Sequence, residues 1–571
     1  MKDRFELAAI GAVAGYCLWG LFETLPHVIG DGFLLLALTV AASVFFSVLM
    51  ALVGPERPLR AVLPSLALGV LAGALAFLAA LRFDSVDGFY DAAHPLMALF
   101  VLVLIGAPFA AAALEEKQGW RHYARLFDSA WGIFIRYVAG WLFAGLIFLV
   151  LLLSDELLKL VGITLIGDLL EVDWLRYALL GAVFGLGVAT VHELRDYVSP
   201  VLVHRLLRML LPLVLLVVIV FIGALPFRGL SDLFGKLSTA GVLMAVAFAG
   251  ITLITTAIDR DDESAAQVKL MTFAAQAMAL LVPVLVGLAI YAIWLRVAAY
   301  GWTPSRVIAA YIALFLVGYV VSYLWAVLRR AGWQARLRQS NLYMALAVGA
   351  GAALWLTPLM TAEGIATGSQ VARYEAGRAA PEALPLYEMA HDWGVAGRAG
   401  LERLEAAGDA PLVARIAEAR EATSRWRFAR EEAGPSDAEL RLALGARVVV
   451  WPAGSDLAPL LDAMNRSVLQ RIERQCPEAE PQACAIVLLG QGADPLFGKD
   501  ALFVTRERVM SLERQNGGSV YLRAARAYDA EGAERAPSDA MLARILAGAF
   551  ELKPMVRSYL QVGDQVIIPY N

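Results

Sequence analysis

The fold is decided by residues 342–360, LYMALAVGAGAALWLTPLM, the last apolar stretch that is long enough to cross a bilayer. A crossing helix needs about 20 mostly apolar residues, since each residue rises about 1.5 Å through roughly 30 Å of hydrocarbon. Apolar stretches dominate the sequence before residue 342, and the chain after residue 360 has the mixed polarity of a soluble protein. We therefore expect a transmembrane helical domain at residues 1–360.

Ten earlier stretches satisfy the same length rule. The predicted crossing segments are 5–25, 32–53, 61–81, 93–114, 131–153, 174–191, 209–225, 239–258, 271–295, 307–328 and 342–360. Composition agrees, because the 571-residue chain is 59% hydrophobic and 18% charged, with a mean hydropathy of +0.64. The predicted fold class is an all-α polytopic membrane bundle of about 11 transmembrane helices, followed by a soluble helical segment and a small α+β domain.

Lys and Arg in the short connections predict the orientation, because positive residues are retained on the cytoplasmic side. With the N-terminus inside, the cytoplasmic connections hold 16 of these residues and the opposite ones hold 7. An odd number of crossings then puts the C-terminal part outside the cytoplasm, which for a bacterial inner membrane means the periplasm. The apolar run after Phe5 is interpreted as an uncleaved first crossing, since many apolar segments follow it.

The soluble part divides at about residue 445. Residues 361–444 have apolar residues three and four apart, most clearly at 381–407 and 411–432, which predicts a helical juxtamembrane segment. Residues 445–571 alternate strand-like and helix-like stretches, which predicts one α+β extracytoplasmic domain. Its predicted strands are 446–451, 483–489, 501–505, 508–513 and 519–528, with helices at 457–475 and 538–552 and hairpins at 515–518 and 562–564.

Three cysteines occur in the chain. Cys17 lies in the first crossing segment, whereas Cys476 and Cys484 lie close together in the soluble part. In an oxidising compartment such a pair is a candidate disulfide. Two unlinked thiols fit the sequence as well, because only the distance and orientation of the two side chains decide whether they can form a bond. The spacing does not suit zinc, and His391 is the only histidine after residue 360, so we expect no metal site.

Two connections in the membrane half are longer than turns. Residues 115–130 and 155–173 both mix charged residues with apolar ones at near-helical spacing. Each is predicted to lie in the membrane interface as an amphipathic helix. Such a helix binds lipid, docks a partner or simply covers the end of the bundle.

Ionisable residues within the crossing segments are candidate functional residues, because a charge in hydrocarbon needs a partner or a path to water. Arg136 is close enough to a segment end for its head to reach the lipid headgroups. Glu23 and His94 are near predicted periplasmic ends, and His192 and Glu193 are at a cytoplasmic end. Since none lies at mid-depth, the pattern argues against a proton- or sodium-coupled transporter.

Three crossing segments carry glycine pairs four residues apart. The pairs are Gly11 with Gly15, Gly69 with Gly73 and Gly181 with Gly185. This spacing predicts helices that approach closely within the bundle.

Several motifs occur in a characteristic order and spacing. They are YARLFDSAW (123–131), KLVGI (159–163), FGLG (184–187), LPFRGL (225–230), LRVAAYGWTPSRV (295–307) and SQVAR (369–373). In these motifs the chain resembles the bacterial multi-pass membrane proteins grouped as a domain of unknown function, DUF4153, over about residues 123–404. The resemblance implies a bacterial envelope protein with a helical membrane domain and an extracytoplasmic tail. It implies no activity, cofactor or catalytic residue.

The most specific motif joins two crossing segments on the predicted periplasmic side. It consists of Tyr300, Gly301, Trp302, Thr303 and Pro304. Glycine and proline suit a tight reversal, threonine suits the cap of a helix that begins with proline, and the aromatic rings suit the membrane interface. This structural account suffices, and ligand binding by the loop is the alternative.

Known catalytic patterns are missing from the soluble part. GQGAD (490–494) lacks the lysine and hydroxyl of a phosphate loop, and no histidine follows His391 to pair with a serine. With 48 basic and 52 acidic residues, the chain offers no basic excess for nucleic acid. We expect no cofactor.

Three functional classes stay open. The first is a membrane anchor whose periplasmic domain binds a protein or glycan. The second is a translocator of a lipid-linked or hydrophobic solute, which a water-filled or lipid-open groove lined by Arg136 and other polar residues would favour. The third is an enzyme acting on envelope lipids or glycans, which carboxylates and arginine in a membrane-level cleft would favour. The oligomeric state is open in all three.

Overall fold

The protein was analysed as a computed structural model. The described residues are 2–53, 58–115, 119–193, 200–228, 239–266, 268–407, 410–426, 428, 437–476, 484–489, 499–514, 520–525, 527–528, 534–535, 538–552, 560–562 and 565–567. By internal contacts the chain divides into two compact units, Met1–Arg425 and Trp426–Asn571.

The first unit is helical. Its helices are α1 Lys2–Trp19, α2 Gly32–Leu52, α3 Pro58–Ala80, α4 Val86–Ala92, α5 His94–Glu115, α6 Tyr123–Lys159, α7 Leu165–Glu171, α8 Asp173–Glu193, α9 Pro200–Arg228, α10 Thr239–Ile258, α11 Lys269–Tyr300, α12 Pro304–Leu328, α13 Trp333–Trp355, α14 Ala362–Glu375, α15 Leu386–His391, α16 Gly394–Ala407 and α17 Ala410–Glu421. A π-helical turn, Gly20–Thr24, and a 3-10 turn, Leu25–His27, continue α1.

Ten helices in the described ranges are long and apolar enough to cross a membrane. They are α1 with its continuation to His27, α2, α3, α5, α6, α8, α9, α10, α11 and α12. The predicted fold class is confirmed, since a helical bundle precedes a small α+β unit. The chain is an integral membrane protein.

The expected last crossing, 342–360, is wrong in its bounds. Helix α13 begins earlier, at Trp333, and ends at Trp355, so 356–360 lie outside it. Its first turns carry Arg338 and Asn341, which lower its hydropathy and are both buried. With 23 residues α13 is about 35 Å long, enough to span the hydrocarbon.

The two expected interfacial helices also differ from the structure. Residues 123–130 form the first turns of α6, a single helix that runs on to Lys159. No proline interrupts residues 123–159, and the charged residues near its start change hydropathy without breaking the backbone pattern. Of residues 155–173, the first five complete α6 and only Leu165–Glu171 form a separate helix, α7.

Local sequence signals set several helix ends. Asp31 caps α2 by accepting hydrogen bonds from the backbone N–H groups of Phe33 and Leu34, at 2.9 and 3.2 Å. Gly301, with φ of 75°, ends α11, and Pro304 begins α12 three residues later. These signals fix the YGWTP loop as a tight reversal.

Helix packing in the bundle uses the predicted glycine pairs. A Cβ atom on Gly11 would overlap the carbonyl oxygen of Gly181, and one on Gly15 would overlap that of Tyr177, so α1 and α8 meet backbone to backbone. Between α2 and α3, a Cβ on Gly73 would lie 2.7 Å from the Ala37 oxygen. The prediction of close packing at these pairs is confirmed.

Polar contacts define the two ends of the bundle. At what we call the near end, Asp128 at the start of α6 pairs with Arg260, just after α10, at 3.1 Å. At the far end, the start of α5, the end of α13 and the start of α14 meet around His94. The YGWTP loop and α14 also meet at the far end.

The second unit, Trp426–Asn571, contains a five-stranded mixed sheet. Its helices are α18 Asp437–Arg447, α19 Ala458–Asp462, α20 Arg466–Gln475 and α21 Asp539–Leu546, and its sheet strands are β1 Val449–Trp451, β2 Cys484–Leu488, β3 Lys499–Thr505, β4 Val509–Arg514 and β5 Val520–Ala525. The order is β1-β2-β3-β4-β5, with β1 parallel to β2 and the other pairs antiparallel. Two short pairs follow, β6 Ala527–Tyr528 with β7 Glu534–Arg535, and β8 Leu560–Val562 with β9 Gln565–Ile567.

Helices α18 and α20 pack on the sheet of this unit. Leu440 and Leu469 share one buried cluster with Ile486, Phe503 and Leu512. Because of these contacts, α18 is part of the second unit. The prediction had placed residues 437–444 in the juxtamembrane segment instead.

Some predicted elements of the second unit changed. The expected helix 457–475 is divided into α19 and α20, because Asn465 starts a new helix and accepts a hydrogen bond from Val468 N at 3.1 Å. The expected helix 538–552 ends at Leu546, before Gly548 with φ of 72°. The hairpin turn predicted at 515–518 lies outside the described residues.

Candidate functional site

A groove opens between α5, α6, α10, α12 and α13, in the half of the bundle towards the near end. Its volume is about 290 Å³, close to the lower limit of about 300 Å³ for small-molecule pockets. The apolar lining includes Leu104, Ile105, Phe109, Leu126, Phe127, Phe248 and Ala345. Leu104 and Phe248 are 50% and 65% exposed on membrane helices, so the groove opens sideways towards lipid.

The groove has a polar floor. The Tyr323 hydroxyl donates to Asn341 Oδ1 at 2.6 Å, and this bond fixes the orientation of the amide. Asn341 Nδ2 then donates to the hydroxyls of Tyr123 and Thr255, each at 3.4 Å. Among the residues that the structure describes, no acceptor lies within hydrogen-bond distance for the Tyr123 hydroxyl proton. Tyr123 therefore keeps a donor available in the groove.

Below this floor, an ion network ties α9, α10 and α13 together. Arg208 donates to the carboxylate of Asp259, which is 6% exposed, and to the Thr256 oxygen at 2.8 Å. Arg338 donates to the Asp262 carboxylate and to the Ile258 oxygen, both at 2.6 Å. Because these charges are paired and hydrogen-bonded, the network stabilises the near end rather than offering a free catalytic carboxylate.

His204 lies behind the wall of the groove. Its ring centroid is 4.9 Å from that of Phe127 and 4.7 Å from that of Trp131, two residues that line the groove. Its Nδ1 is 3.8 Å from the Asp259 carboxylate. The Nε2 atom is buried, with no hydrogen-bond partner in the described part of the chain.

His94, a candidate from the sequence, joins α5 to α14 at the far end. Its Nε2 lies 2.7 Å from Oε1 of Glu363, and the Trp355 indole donates to its Nδ1 at 3.0 Å. The indole can only donate, so Nδ1 carries the lone pair and the Nε2 proton faces the carboxylate. Glu363 is 3% exposed, which makes this a buried pair between a membrane helix and the segment after the last one.

Arg82 lies close to this pair. Its Nη2 donates to the oxygens of Trp355 and Thr357, at 2.7 and 2.6 Å. Burial lowers the pKa of Arg82, and the negative charge of Glu363 opposes that effect. Within the described ranges, Arg82 Nε and Nη1 and Glu363 Oε2 are buried without hydrogen-bond partners. The cluster therefore retains unused hydrogen-bonding capacity.

The His94–Glu363 pair has a defined pH dependence. Burial alone raises the pKa of Glu363, but the hydrogen bond from His94 and the positive charge of Arg82 outweigh it and leave the pKa below its ordinary value. The pair therefore stabilises the folded protein fully above the unfolded-state pKa, and this stability is lost as the pH falls through the lower folded-state pKa.

We expect the His94→Ala variant to lose about 2 kcal/mol of unfolding free energy at pH 7, because a buried carboxylate loses its hydrogen-bond donor. Burial then raises the pKa of Glu363, so the difference from the wild type should shrink as the pH falls towards 4. Unfolding titrations in detergent at several pH values measure it. The control is His27→Ala, since His27 is exposed. If the His94→Ala variant were less stable than the wild type by the same amount at every pH, the pairing of His94 with Glu363 would be contradicted.

The YGWTP loop is held by side chains of α14. Gln370 Nε2 donates to the oxygens of Tyr300 and Trp302, at 3.1 and 2.8 Å, and the Ser369 hydroxyl accepts from Trp302 N at 3.1 Å. The expected side-chain cap by Thr303 is not formed, because its hydroxyl lies 3.1 Å from that of Ser305 instead. Glutamine and serine of the SQVAR motif thus bind the backbone of the loop.

The other predicted residues do not join these sites. Arg136 Nε donates to the Gly132 oxygen at 3.0 Å and Nη2 to the Ala51 oxygen at 3.3 Å, which links α6 to the end of α2. Glu23 is exposed in the π-helical turn. His192 and Glu193 end α8, and their side chains lie outside the described part.

The two cysteines of the second unit lie together. Cys476 ends α20 and Cys484 begins β2, with their Cα atoms 5.5 Å apart and their sulfurs paired as a disulfide. Cys17 is half-buried in α1 and is not paired. Among the described residues, no group of three or more His, Cys, Asp or Glu side chains is placed to hold a metal ion.

The sequence pattern did not indicate three residues of the groove and two of the far-end cluster. They are Asn341, Tyr123 and Thr255 in the groove, and Glu363 and Arg82 in the cluster. A usable signal existed for Thr255 and Asn341, since each is a polar residue in or beside an apolar run. Glu363 gave no signal, because its partner His94 is 269 residues away along the chain.

Comparison with known proteins gives one match. The profile of a family described as "Domain of unknown function (DUF4153)" matches residues 21–390, from the π-helical turn after α1 into α15. No curated protein and no solved structure shows a significant match to the chain. The match covers well over half of the chain and contains the groove, the His94 cluster and the YGWTP loop. The family suggested by the sequence motifs is thus confirmed, and the chain belongs to the family described as domain of unknown function DUF4153.

Proposed function

We propose that the membrane domain binds an uncharged amphiphile in the groove between α5, α6, α10, α12 and α13, as a protein that translocates a lipid-linked or hydrophobic solute would. The observation that carries the proposal is the combination of a polar floor with apolar walls that open to lipid. An anchor would not need an internal space of about 290 Å³.

The arrangement of the lining favours this class of ligand. A polar head would meet Asn341, Thr255 and the available donor of Tyr123, while its apolar chain would leave past Leu104 and Phe248 towards the bilayer. No Lys, Arg, Asp or Glu is among the residues that line the described groove. A head that accepts hydrogen bonds and carries no charge fits these walls best.

Filling the groove should weaken binding. We expect Ala345→Phe to weaken binding of a monoacylglycerol about tenfold or more, because the new ring occupies the space of the ligand. Tyr123→Phe should weaken it about fivefold, the typical effect of one hydrogen bond. Native mass spectrometry of the full chain with added monoacylglycerol measures both variants.

The control is Ala347→Phe, an exposed position two residues further along α13 that does not line the groove. It should bind like the wild type. Equal binding by the Ala345 and Ala347 variants would overturn the proposal.

The remaining classes have less support. A periplasmic domain that binds a protein or glycan stays a prediction. An enzyme acting on envelope lipids or glycans would use carboxylates with arginine in a membrane-level cleft. Asp259 and Arg208 do lie near the groove, but each is already engaged by other groups.

For the location, we propose a bacterial inner membrane with the N-terminus in the cytoplasm and the second unit in the periplasm. Support comes from the excess of Lys and Arg in the near-end connections. The 23-residue α13 is not one of the ten apolar crossing helices, but it is long enough to add an eleventh crossing. The pairing of Cys476 with Cys484 suits an oxidising compartment.

Thiol trapping tests this orientation. We expect Cys476 and Cys484 to resist a thiol reagent in cells acid-quenched before labelling and to react only after reduction. A reporter that fluoresces only in the cytoplasm should stay dark when fused after Asn571. Bright fusions with freely reacting cysteines would show that the second unit is cytoplasmic.

A further inference from the structure

Three arginines surround the YGWTP loop at the far end of the bundle. Arg296 lies one helical turn before Tyr300 on α11, Arg306 is in the first turn of α12, and Arg373 is near the end of α14. The guanidinium carbon of Arg306 is 5.7 Å from the centre of the Tyr300 ring. Arg296 and Arg373 both lie within electrostatic range of Arg306. Two arginines thus contact the loop or its flanks, and a third lies one helical turn away.

Backbone contacts hold two of these side chains in place. Arg306 Nη1 donates to the Gly301 oxygen at 2.5 Å, and Arg373 Nη2 donates to the Ala299 oxygen at 2.9 Å. An added Cβ at Gly301 would lie 2.6 Å from Cδ of Arg373, so only glycine lets the arginine lie against the loop. The two guanidinium groups are therefore positioned before any ligand arrives.

No carboxylate neutralises this cluster within the described residues. On α14, Glu363 is engaged by His94 at 2.7 Å, and Glu375 by Arg403 at 3.2 Å. The structure gives no salt bridge for Arg296, Arg306 or Arg373 among the described residues. The Nε of Arg373 is buried and has no hydrogen-bond partner there. Like charges held together in this way are unfavourable unless an anion joins them.

The position of the cluster indicates which anion. The loop joins two crossing helices, α11 and α12, so we expect it to lie at the level of the lipid headgroups. Guanidinium groups bind phosphate oxygens in a bidentate manner, and the N-terminus of the 25-residue α12 adds a favourable dipole. A sulfate monoester or a carboxylate carries one charge, so it would gain less from several guanidinium groups than a phosphate monoester with nearly two charges.

We propose that Arg296, Arg306 and Arg373 form a binding site for a phosphate group, such as the phosphomonoester of an anionic lipid or a soluble phosphate. This site is separate from the groove, which lies towards the near end and is uncharged. Failure of one proposal therefore leaves the other standing.

Native mass spectrometry of the full chain in nanodiscs tests the site. The probes are phosphatidic acid, phosphatidylcholine and inorganic phosphate alone. We expect the wild type to retain phosphatidic acid at least tenfold more strongly than phosphatidylcholine. Arg296→Gln should reduce that preference about tenfold, since each charge-assisted hydrogen bond contributes about that factor. Arg296 is exposed, so this variant should fold normally.

Two further variants sharpen the test. Arg306→Lys keeps the positive charge but loses the bidentate donors of the guanidinium group. Its preference for phosphatidic acid should therefore lie between those of the wild type and Arg296→Gln. Arg329→Gln is the matched control, because it removes an arginine at the other end of α12. This arginine also lies over an aromatic ring, with its guanidinium carbon 5.2 Å from the centre of the Trp325 ring. It should bind like the wild type.

The two possible sources give different results. A lipid preference that depends on Arg296, with no uptake of inorganic phosphate, supports a headgroup site. Uptake of inorganic phosphate that depends on Arg296 supports a soluble phosphate. If neither lipid preference nor phosphate uptake differs between the wild type and the Arg296 and Arg306 variants, the proposal is overturned.

Discussion

The Gly181→Val variant is expected to lose the contact between α1 and α8 and to yield little folded protein. Any Cβ at residue 181 would overlap the carbonyl oxygen of Gly11, and the neighbouring Gly185 is equally close to the backbone of Leu7. Backbone cannot move aside as a side chain can, so we expect a loss of about 3 kcal/mol or more, the upper range for overpacking.

The measurement is the unfolding free energy in a denaturing detergent titration, together with the yield of monodisperse protein. Gly145→Val is the matched control, because Gly145 lies in membrane helix α6 with no atom within 4 Å of its Cβ position. It should keep the stability of the wild type. Equal stability of the two valine variants would mean that α1 and α8 do not meet in this way.

A second large effect is expected from Asp259→Asn. Asparagine tolerates the left-handed backbone of this residue, φ of 51°, so the change removes the charge and little else. Arg208 then loses its carboxylate partner in a nearly buried position. Breaking a buried ion pair from one side costs about 3–5 kcal/mol, and we expect a loss in that range.

A double variant separates the ion pair from general damage. When Arg208→Met is added to Asp259→Asn, the unpaired charge disappears, and much of the lost stability should return. Glu263→Gln, an exposed carboxylate in the same connection, is the control and should change stability by less than about 0.5 kcal/mol. A double variant no more stable than Asp259→Asn alone would argue against the pair.

Hydropathy predicted the number and order of the membrane helices well, because ten of them carry long apolar stretches that do not depend on their neighbours. It failed where polar residues are buried by distant partners. Arg338 lowers the hydropathy of α13, yet it is 8% exposed and bonded to residues 76 to 80 positions away. A single sequence does not contain that pairing.

The same reason explains what could be predicted of the sites. The YGWTP loop was found from local chemistry, since glycine and proline act on their own backbone. His94 was singled out by its position, but its partner Glu363 belongs to α14, beyond the last membrane helix. The groove was not predictable, because its polar floor unites α6, α10, α12 and α13, and only packing brings their side chains together.

The hydrogen bonds between α14 and the YGWTP loop have a consequence for movement of the helices. Gln370, Ser369 and Arg373 bind the main-chain atoms of three residues at the end of α11 and in the loop, and these bonds do not depend on the side chains there. The three residues are Ala299, Tyr300 and Trp302. A tilt of α11 or α12 would therefore pull α14 with it unless these bonds break. The orientation of α14 is in this way coupled to that of two membrane helices.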